Sequence, residues 1–271
     1  MIPQKKYPVC EALKRNAGIH CATLVVTENT TKAAAKNSLL PEPSDELRNG
    51  TLTFIRLGNR VFGITCWHVV EYFRKQLADS ENQSSHSMRT MLNGFYVVTD
   101  RFIRPAPSLG MPDLDIAIRE LSPDFLTKLG KVPFDLDLNS SIEPNNIEFA
   151  YAIGYPESLK YKRDYDGFSY RISMPQIEIL AEISAFPEQR FQLFSELDTA
   201  PQNLDYSGMS GGPIFWSTEK VYGLLGIVYE GGTGSVFSDN KSIHVFGELA
   251  TPAIVKDWIK QLPSLLTSTI D

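Results

Sequence analysis

The hexapeptide Gly208-Met209-Ser210-Gly211-Gly212-Pro213, preceded by Asp205-Tyr206-Ser207 and followed by Ile214-Phe215-Trp216, is the stretch on which the reading of this chain turns. A serine set between glycines is a candidate nucleophile, because its hydroxyl must be presented on a sharp turn. The same turn has to aim free backbone N–H groups at one point, and a glycine at 208 lets a bound carbonyl approach without a side chain in the way. The residues after Pro213 read as a strand, so the serine leads into a sheet.

The rest of the sequence bounds what that serine can serve. The 271 residues allow one large domain or two small ones with ample core. A net charge of −6, from 26 basic against 32 acidic residues, argues against a nucleic-acid binder. The one locally basic stretch, Lys160-Tyr161-Lys162-Arg163, is followed by Asp164 and Asp166 and reads as a solvated hairpin tip. No run of about 18 apolar residues is present, so no membrane span is expected. Residues 1–16 lack the apolar core and small-residue cleavage site of a secretory signal. The three cysteines, Cys10, Cys21 and Cys66, form no disulfide framework, and the expected setting is cytoplasmic with reduced thiols. His20-Cys21 is not joined by enough further ligands for a zinc site, so no metal and no cofactor is expected.

Strand signals dominate. Thr51–Leu57 and Arg60–Cys66 alternate apolar and polar residues, with Gly58-Asn59 between them as a two-residue turn. Further strands are expected at 94–99, 114–119, 148–154, 170–173, 176–183, 191–194, 213–215, 223–229 and 243–248. Many short strands separated by loops point to barrels or sandwiches rather than to alternating strands and helices. Helices are expected at 69–77, at 122–129 with Ser122-Pro123 as cap and first residue, and at 253–262 after Thr251-Pro252. In the last of these Ile254, Trp258 and Ile259 share one face. Residues 79–90 and 132–146 read as loops, the second as a linker between two halves of similar size.

Ser210 needs a base, and the chain has four histidines. His86 falls in a polar loop and reads as a surface residue, while His20 and His244 read as structural. His68 follows Ile64-Thr65-Cys66-Trp67 at the end of a strand. An imidazole acting as a base needs an orienting carboxylate. Asp115 abuts the apolar run Ile116-Ala117-Ile118, where a carboxylate is costly unless paired; Asp113 is its looser, exposed neighbour.

His68, Asp115 and Ser210 occur in that order. The segments Thr65-Cys66-Trp67-His68-Val69-Val70, Asp115-Ile116-Ala117 and Gly208-Met209-Ser210-Gly211-Gly212-Pro213 resemble the chymotrypsin-like (trypsin-like) serine peptidases, closest in character to bacterial intracellular and HtrA-like domains. Gly226-Ile227-Val228 followed by Gly231, and the late helix around Trp258, add to the likeness, which spans about Gly50 to Leu262. The resemblance implies an all-β fold of two six-stranded Greek-key β-barrels, with the active site in the cleft between them and a C-terminal helix. It divides the chain into an N-terminal extension at 1–45, a first barrel at 46–140 and a second at 141–271. It implies a serine endopeptidase acting on protein or peptide substrates through His68, Asp115 and Ser210, with the N–H groups of Gly208 and Ser210 as the oxyanion hole. Substrate would lie along Tyr229-Glu230-Gly231 as an added strand, with Leu204 near the base of the pocket for the residue before the cleaved bond. Gly231-Gly232-Thr233-Gly234 reads as the rim of that pocket.

Met209 departs from the digestive members, which carry there an aspartate that pairs with a newly cut N-terminus. No Ile-Val-Gly-Gly segment precedes the first barrel, and nothing after Leu262 is long enough for a PDZ domain. Activation by N-terminal cleavage is therefore not expected, and a partner or signal that activates the chain is one alternative to constitutive activity. Two rival readings remain. Gly208-Met209-Ser210-Gly211-Gly212 also satisfies the nucleophile elbow of α/β-hydrolases, which requires a following helix and a histidine after the acid; only His244, five residues after Asp239, could serve. The other rival is a catalytically dormant trypsin-like fold acting as a protein-binding module.

Overall fold

The computed structural model of the chain describes residues 7–28, 49–79, 86–91, 95–107, 113–138, 146–165, 169–185, 189–196, 206–233 and 242–262. Fifteen strands, four α-helices and two short 3-10 turns are assigned among them, and the architecture is mostly β with a C-terminal helix. In chain order the elements are α1 (Glu11–Asn16), β1 (Cys21–Glu28), β2 (Asn49–Leu57), β3 (Arg60–Thr65), α2 (Trp67–Asp79), β4 (His86–Met91), β5 (Phe95–Val97), β6 (Ala117–Leu121), α3 (Pro123–Leu129) and β7 (Phe134–Asp135). The second half holds β8 (Phe149–Gly154), β9 (Tyr161–Tyr165), β10 (Ser169–Ser173), β11 (Ile177–Ala185), β12 (Arg190–Glu196), β13 (Pro213–Ser217), β14 (Tyr222–Thr233), β15 (Ser242–Leu249) and α4 (Pro252–Lys260).

The second half closes into a barrel in the order β11-β12-β15-β14-β13-β8, with β9 and β10 standing apart as a hairpin. The first half runs β5-β4-β1-β2-β3-β6. Counting strands within each half, both follow one neighbour order: first, second, third, sixth, fifth, fourth, first. The run β4-β1-β2-β3 is the Greek-key arrangement. Closure is where the halves differ. In the first, the contact between β6 and the β5 side shrinks to one residue pair, Ile103 with Ile118, which exchange both backbone hydrogen bonds at 2.9 Å. Arg104-Pro105-Ala106-Pro107 follows directly, and proline has no N–H to continue a ladder. The first half thus has its six strands, but their closure rests on a single bridge, where a continuous barrel was expected.

An early strand expected to begin at His20 is matched by β1, Cys21–Glu28, which pairs with β2 on one side and β4 on the other although it lies in the segment read as an N-terminal extension. Two stretches expected to lie outside the sheets also supply strands. His86–Met91, read as loop, is β4. Phe134–Asp135, read as linker, runs parallel to Ile55–Arg56.

β2 explains how the halves meet. Its alternation sends Leu52 and Phe54 into the first core, while Thr51 and Thr53 are equally buried on the other face. There their hydroxyls donate to backbone carbonyls of the Ser210 loop. A strand that reads as half-exposed is buried on both sides because the second barrel covers its polar face. Val255, Trp258 and Ile259 of α4 are buried, and Trp258 joins the larger core cluster with first-half residues such as Leu114 and Phe134. Ser122 occupies the cap position of α3, and Pro123 is its first residue, but the serine hydroxyl makes no capping bond.

Candidate active site

His68 and Asp115 meet because their strands do. Thr65 at the end of β3 pairs with Ala117 at the start of β6, so the residues just beyond each lie side by side. His68 is the second residue of α2, and Asp115 sits two residues ahead of β6. The Trp67 N–H donates to the Asp115 carbonyl at 3.2 Å, the His68 N–H to Asp115 Oδ1 at 2.9 Å, and His68 Nδ1 is 2.5 Å from Asp115 Oδ2. An ionised carboxylate only accepts, so Nδ1 donates, and in the neutral imidazole Nε2 is the nitrogen with the lone pair. The imidazole is about half exposed on the cleft side and the carboxylate is largely covered. Asp113 is 74% exposed and pairs loosely with Arg104.

Ser210 lies on the turn ahead of β13, and every carbonyl of that turn has a donor. The Ser207 carbonyl accepts from the Glu157 N–H at 2.6 Å and that of Gly208 from the Thr51 hydroxyl at 2.9 Å. The carbonyls of Met209, Ser210 and Gly211 accept from the Gly212 N–H, the Thr51 N–H and the Thr53 hydroxyl at 2.7–2.8 Å. Three N–H groups are also taken, those of Met209, Gly211 and Gly212. The N–H groups of Gly208 and Ser210 find no acceptor among the described residues. In a trans peptide the N–H points opposite to the preceding C=O. Anchoring the carbonyls of Ser207 and Met209 therefore aims the N–H groups of Gly208 and Ser210 away from those anchors.

Two glycines make the turn possible. Gly208 has φ +94° and Gly211 φ +93°, where side chains are strained. A Cβ on Gly208 would meet Asn49 Nδ2 and the Tyr155 carbonyl at 2.6 Å; one on Gly211 would meet the Thr51 carbonyl at 2.0 Å. Met209 points the other way. It is 0% exposed, in the second core cluster with Ile214 and Val228 and packed against Gly154.

The cleft, about 400 Å³, is lined by His68, Asp115, Tyr206, Ser207, Ser210, Tyr229, Glu230 and Gly231. The expected triad residues and three of the four expected substrate-contact residues thus share one cavity. Leu204 lies outside the described residues. Ser210 Oγ donates to the Tyr229 carbonyl at 3.0 Å, and no bond joins it to His68 among the described residues. Tyr229 reaches this point on a β-bulge: Val228 pairs with Gly247 and Glu230 with Phe246, leaving Tyr229 unmatched. Beyond Ile227, β14 has no β13 partner, so its edge at Tyr229–Gly231 is unpaired on that side among the described residues.

Sequence reasoning missed Tyr206 and Ser207, although they abut the glycine turn. It also missed Glu248, whose Oε1 accepts the Asp115 N–H at 3.2 Å. The argument used for Asp115, a carboxylate in an apolar strand, applies equally to a glutamate within Ile243–Leu249.

Two other histidines, His20 and His244, lie outside the cleft lining. His20 is buried between the Val132 carbonyl at 2.8 Å and the Tyr222 hydroxyl at 3.1 Å, and burial lowers its pKa. His244 on β15 bonds Gln192 and Ser242, far from the role an α/β-hydrolase would require. Ser210 leads into strand β13 rather than a helix, which removes that fold. Cys66, His68 and Asp115 bring three potential metal donors within 4.8 Å of one another. Burial, and then Asp115, push the Cys66 thiol well above its usual range, and it donates to the Val228 carbonyl at 3.0 Å. Cys66 Sγ donates to the Val228 carbonyl and His68 Nδ1 to Asp115, so both atoms are already engaged within the fold. All three cysteines are free and buried. No helix among the described residues is long and apolar enough to cross a membrane.

No family model and no curated protein matches the chain in sequence. Among solved structures, it is similar to a thermostable serine protease, AL20, from an extremophilic microorganism: 12% identity over 89% of this chain and 96% of that one, with a TM-score of 0.48. It is also similar to a human pathogenic astrovirus serine protease, at 14% identity over 92% and 98% of the two chains, with a TM-score of 0.42.

Proposed function

We propose that this chain is a serine endopeptidase in which Ser210 is the nucleophile, His68 the general base and acid, and Asp115 the group that orients the imidazole. One observation carries the reading: the 2.5 Å contact of His68 Nδ1 with Asp115 leaves Nε2 as the uncommitted ring nitrogen, in the cleft that also holds Ser210. The unpaired edge at Tyr229–Gly231 supports an extended peptide as substrate, bound by strand addition.

The steps follow from these positions. The Ser210 hydroxyl turns from the Tyr229 carbonyl to His68 Nε2 and gives up its proton as Oγ attacks the scissile carbonyl carbon. Oxygen charge that develops on the tetrahedral intermediate is received by the N–H groups of Gly208 and Ser210, each donor contributing about 2.7–4 kcal/mol. His68 then protonates the leaving amine, and the C–N bond breaks to leave an acyl-enzyme. Water, deprotonated by His68, attacks the ester; the bond from the acyl carbon to Ser210 Oγ breaks, and His68 returns the proton to Oγ as the acid product leaves. The turn bearing both donors is braced by Glu157, Thr51 and Thr53, and by the buried Met209. That bracing supports constitutive activity, without an inserted N-terminus or an activating partner.

A dormant binding module is the second reading, favoured by the bond of Ser210 Oγ to the Tyr229 carbonyl in place of His68. A peptide library digested with wild type and with Ser210→Ala separates the two. The peptidase reading expects wild-type cleavage products that vanish in the variant. A binding module gives two identical, uncut profiles.

A further inference from the structure

Behind Asp115 lies an ion pair that the proposed chemistry does not use. Glu248 on β15 is 1% exposed and sits opposite Arg190 on β12. Its Oε1 accepts from Arg190 Nε at 3.0 Å, from Arg190 Nη2 at 2.9 Å and from the Asp115 backbone N–H at 3.2 Å. The Arg190 guanidinium lies over the Tyr229 ring, 4.8 Å from its centroid, and Nη2 is 3.5 Å from the Asp113 carbonyl. Arg190, Glu248 and Tyr229 belong to the second barrel; Asp113 and Asp115 belong to the first.

A buried carboxylate is costly unless it is paired, and here only the Glu248 end lies in the core, while Arg190 is 38% exposed. What this pair does, and an apolar pair would not, is join the two halves of the site. One end holds the backbone of Asp115, and hence His68. The other stacks on Tyr229, whose carbonyl holds Ser210 Oγ.

We propose that Arg190 and Glu248 are positioning residues: a cross-barrel mount that registers the His68–Asp115 pair against Ser210. This rests on the peptidase reading, and the test keeps the two apart. The double variant Glu248→Leu/Arg190→Met replaces the pair by apolar side chains of similar volume, an exchange that often leaves stability unchanged or improved. Two quantities are read: kcat and KM on a peptide cleaved by the wild type, and the low-field NMR resonance of the His68 Nδ1 proton bound to Asp115.

The mount expects kcat to fall about 10–100-fold with KM little changed, as displacement of reacting groups by about 1 Å produces. It also expects the Nδ1 resonance to shift or broaden. Glu248→Gln, which keeps an acceptor for the Asp115 N–H but loses the charge that holds Arg190, should show the same pattern more weakly and serves if the double variant does not fold. Unchanged kcat and an unmoved resonance in either folded variant overturn the mount, as does a change in KM alone. If wild type cleaves nothing, the peptidase reading falls, and the resonance still decides for or against the mount.

Discussion

Asp115→Asn is expected to leave both barrels folded and to lower kcat by about 10⁴-fold, the loss that follows when the imidazole is held in the wrong tautomer. The direction follows from two contacts. Asp115 accepts on both oxygens, Oδ1 from the His68 backbone N–H and Oδ2 from Nδ1. An asparagine has one acceptor oxygen. The backbone N–H cannot change its nature, so it claims that oxygen and turns the amide NH₂ toward Nδ1. Nδ1 must then accept, the proton moves to Nε2, and His68 can no longer take a proton from Ser210. Asp113→Asn, at a residue 74% exposed, should change kcat less than about twofold. The check is kcat for both variants beside their thermal unfolding. A loss under tenfold for Asp115→Asn, or a larger one for Asp113→Asn, would show that Asp115 does not orient the base.

Met209→Asp has the largest expected effect on stability. Digestive peptidases of the resembled family carry aspartate at this point and pair it with a cut N-terminus. Here the side chain is 0% exposed, among Ile214, Val228 and Gly154. An uncompensated carboxylate in such a core costs several kcal/mol, on the order of 3–5, against a total stability of about 5–15. The serine turn hangs on this residue, so Ser210 should lose reactivity at temperatures where the barrels still stand. Met209→Leu conserves volume and should cost less than about 1.5 kcal/mol. Thermal unfolding and the rate of Ser210 acylation measure both effects. Wild-type stability and rate in Met209→Asp would mean that a cation reaches this site and that apolar packing does not set the turn.

His68, Asp115 and Ser210, which meet in the cleft, were legible because each stands at a local oddity of sequence. Ser210 stands between glycines whose backbone other residues cannot adopt, His68 ends a strand, and Asp115 is a carboxylate entering an apolar run. What was not legible depends on the far side of each element. Thr51 and Thr53 look like the solvent face of β2, yet both are buried against the serine turn. Met209 was read only as a departure from the aspartate of the digestive members, and its place in the core was not visible. β4 was hidden because Arg89 and Thr90, both buried, break the alternation that marks a strand. The open edge of the first barrel follows from Pro105 and Pro107, whose effect on closure is visible only once β6 is seen as the neighbour. Glu248 and Arg190 lie 58 residues apart, and nothing local joins them.

The central claim is that Ser210 is a nucleophile made reactive by His68. A fluorophosphonate probe, which forms a covalent bond only with an activated serine hydroxyl, tests it most directly. Wild type is expected to be labelled at Ser210, with labelling abolished in Ser210→Ala and in His68→Ala. Wild type that takes no label under any condition, or label that persists in Ser210→Ala, would contradict it.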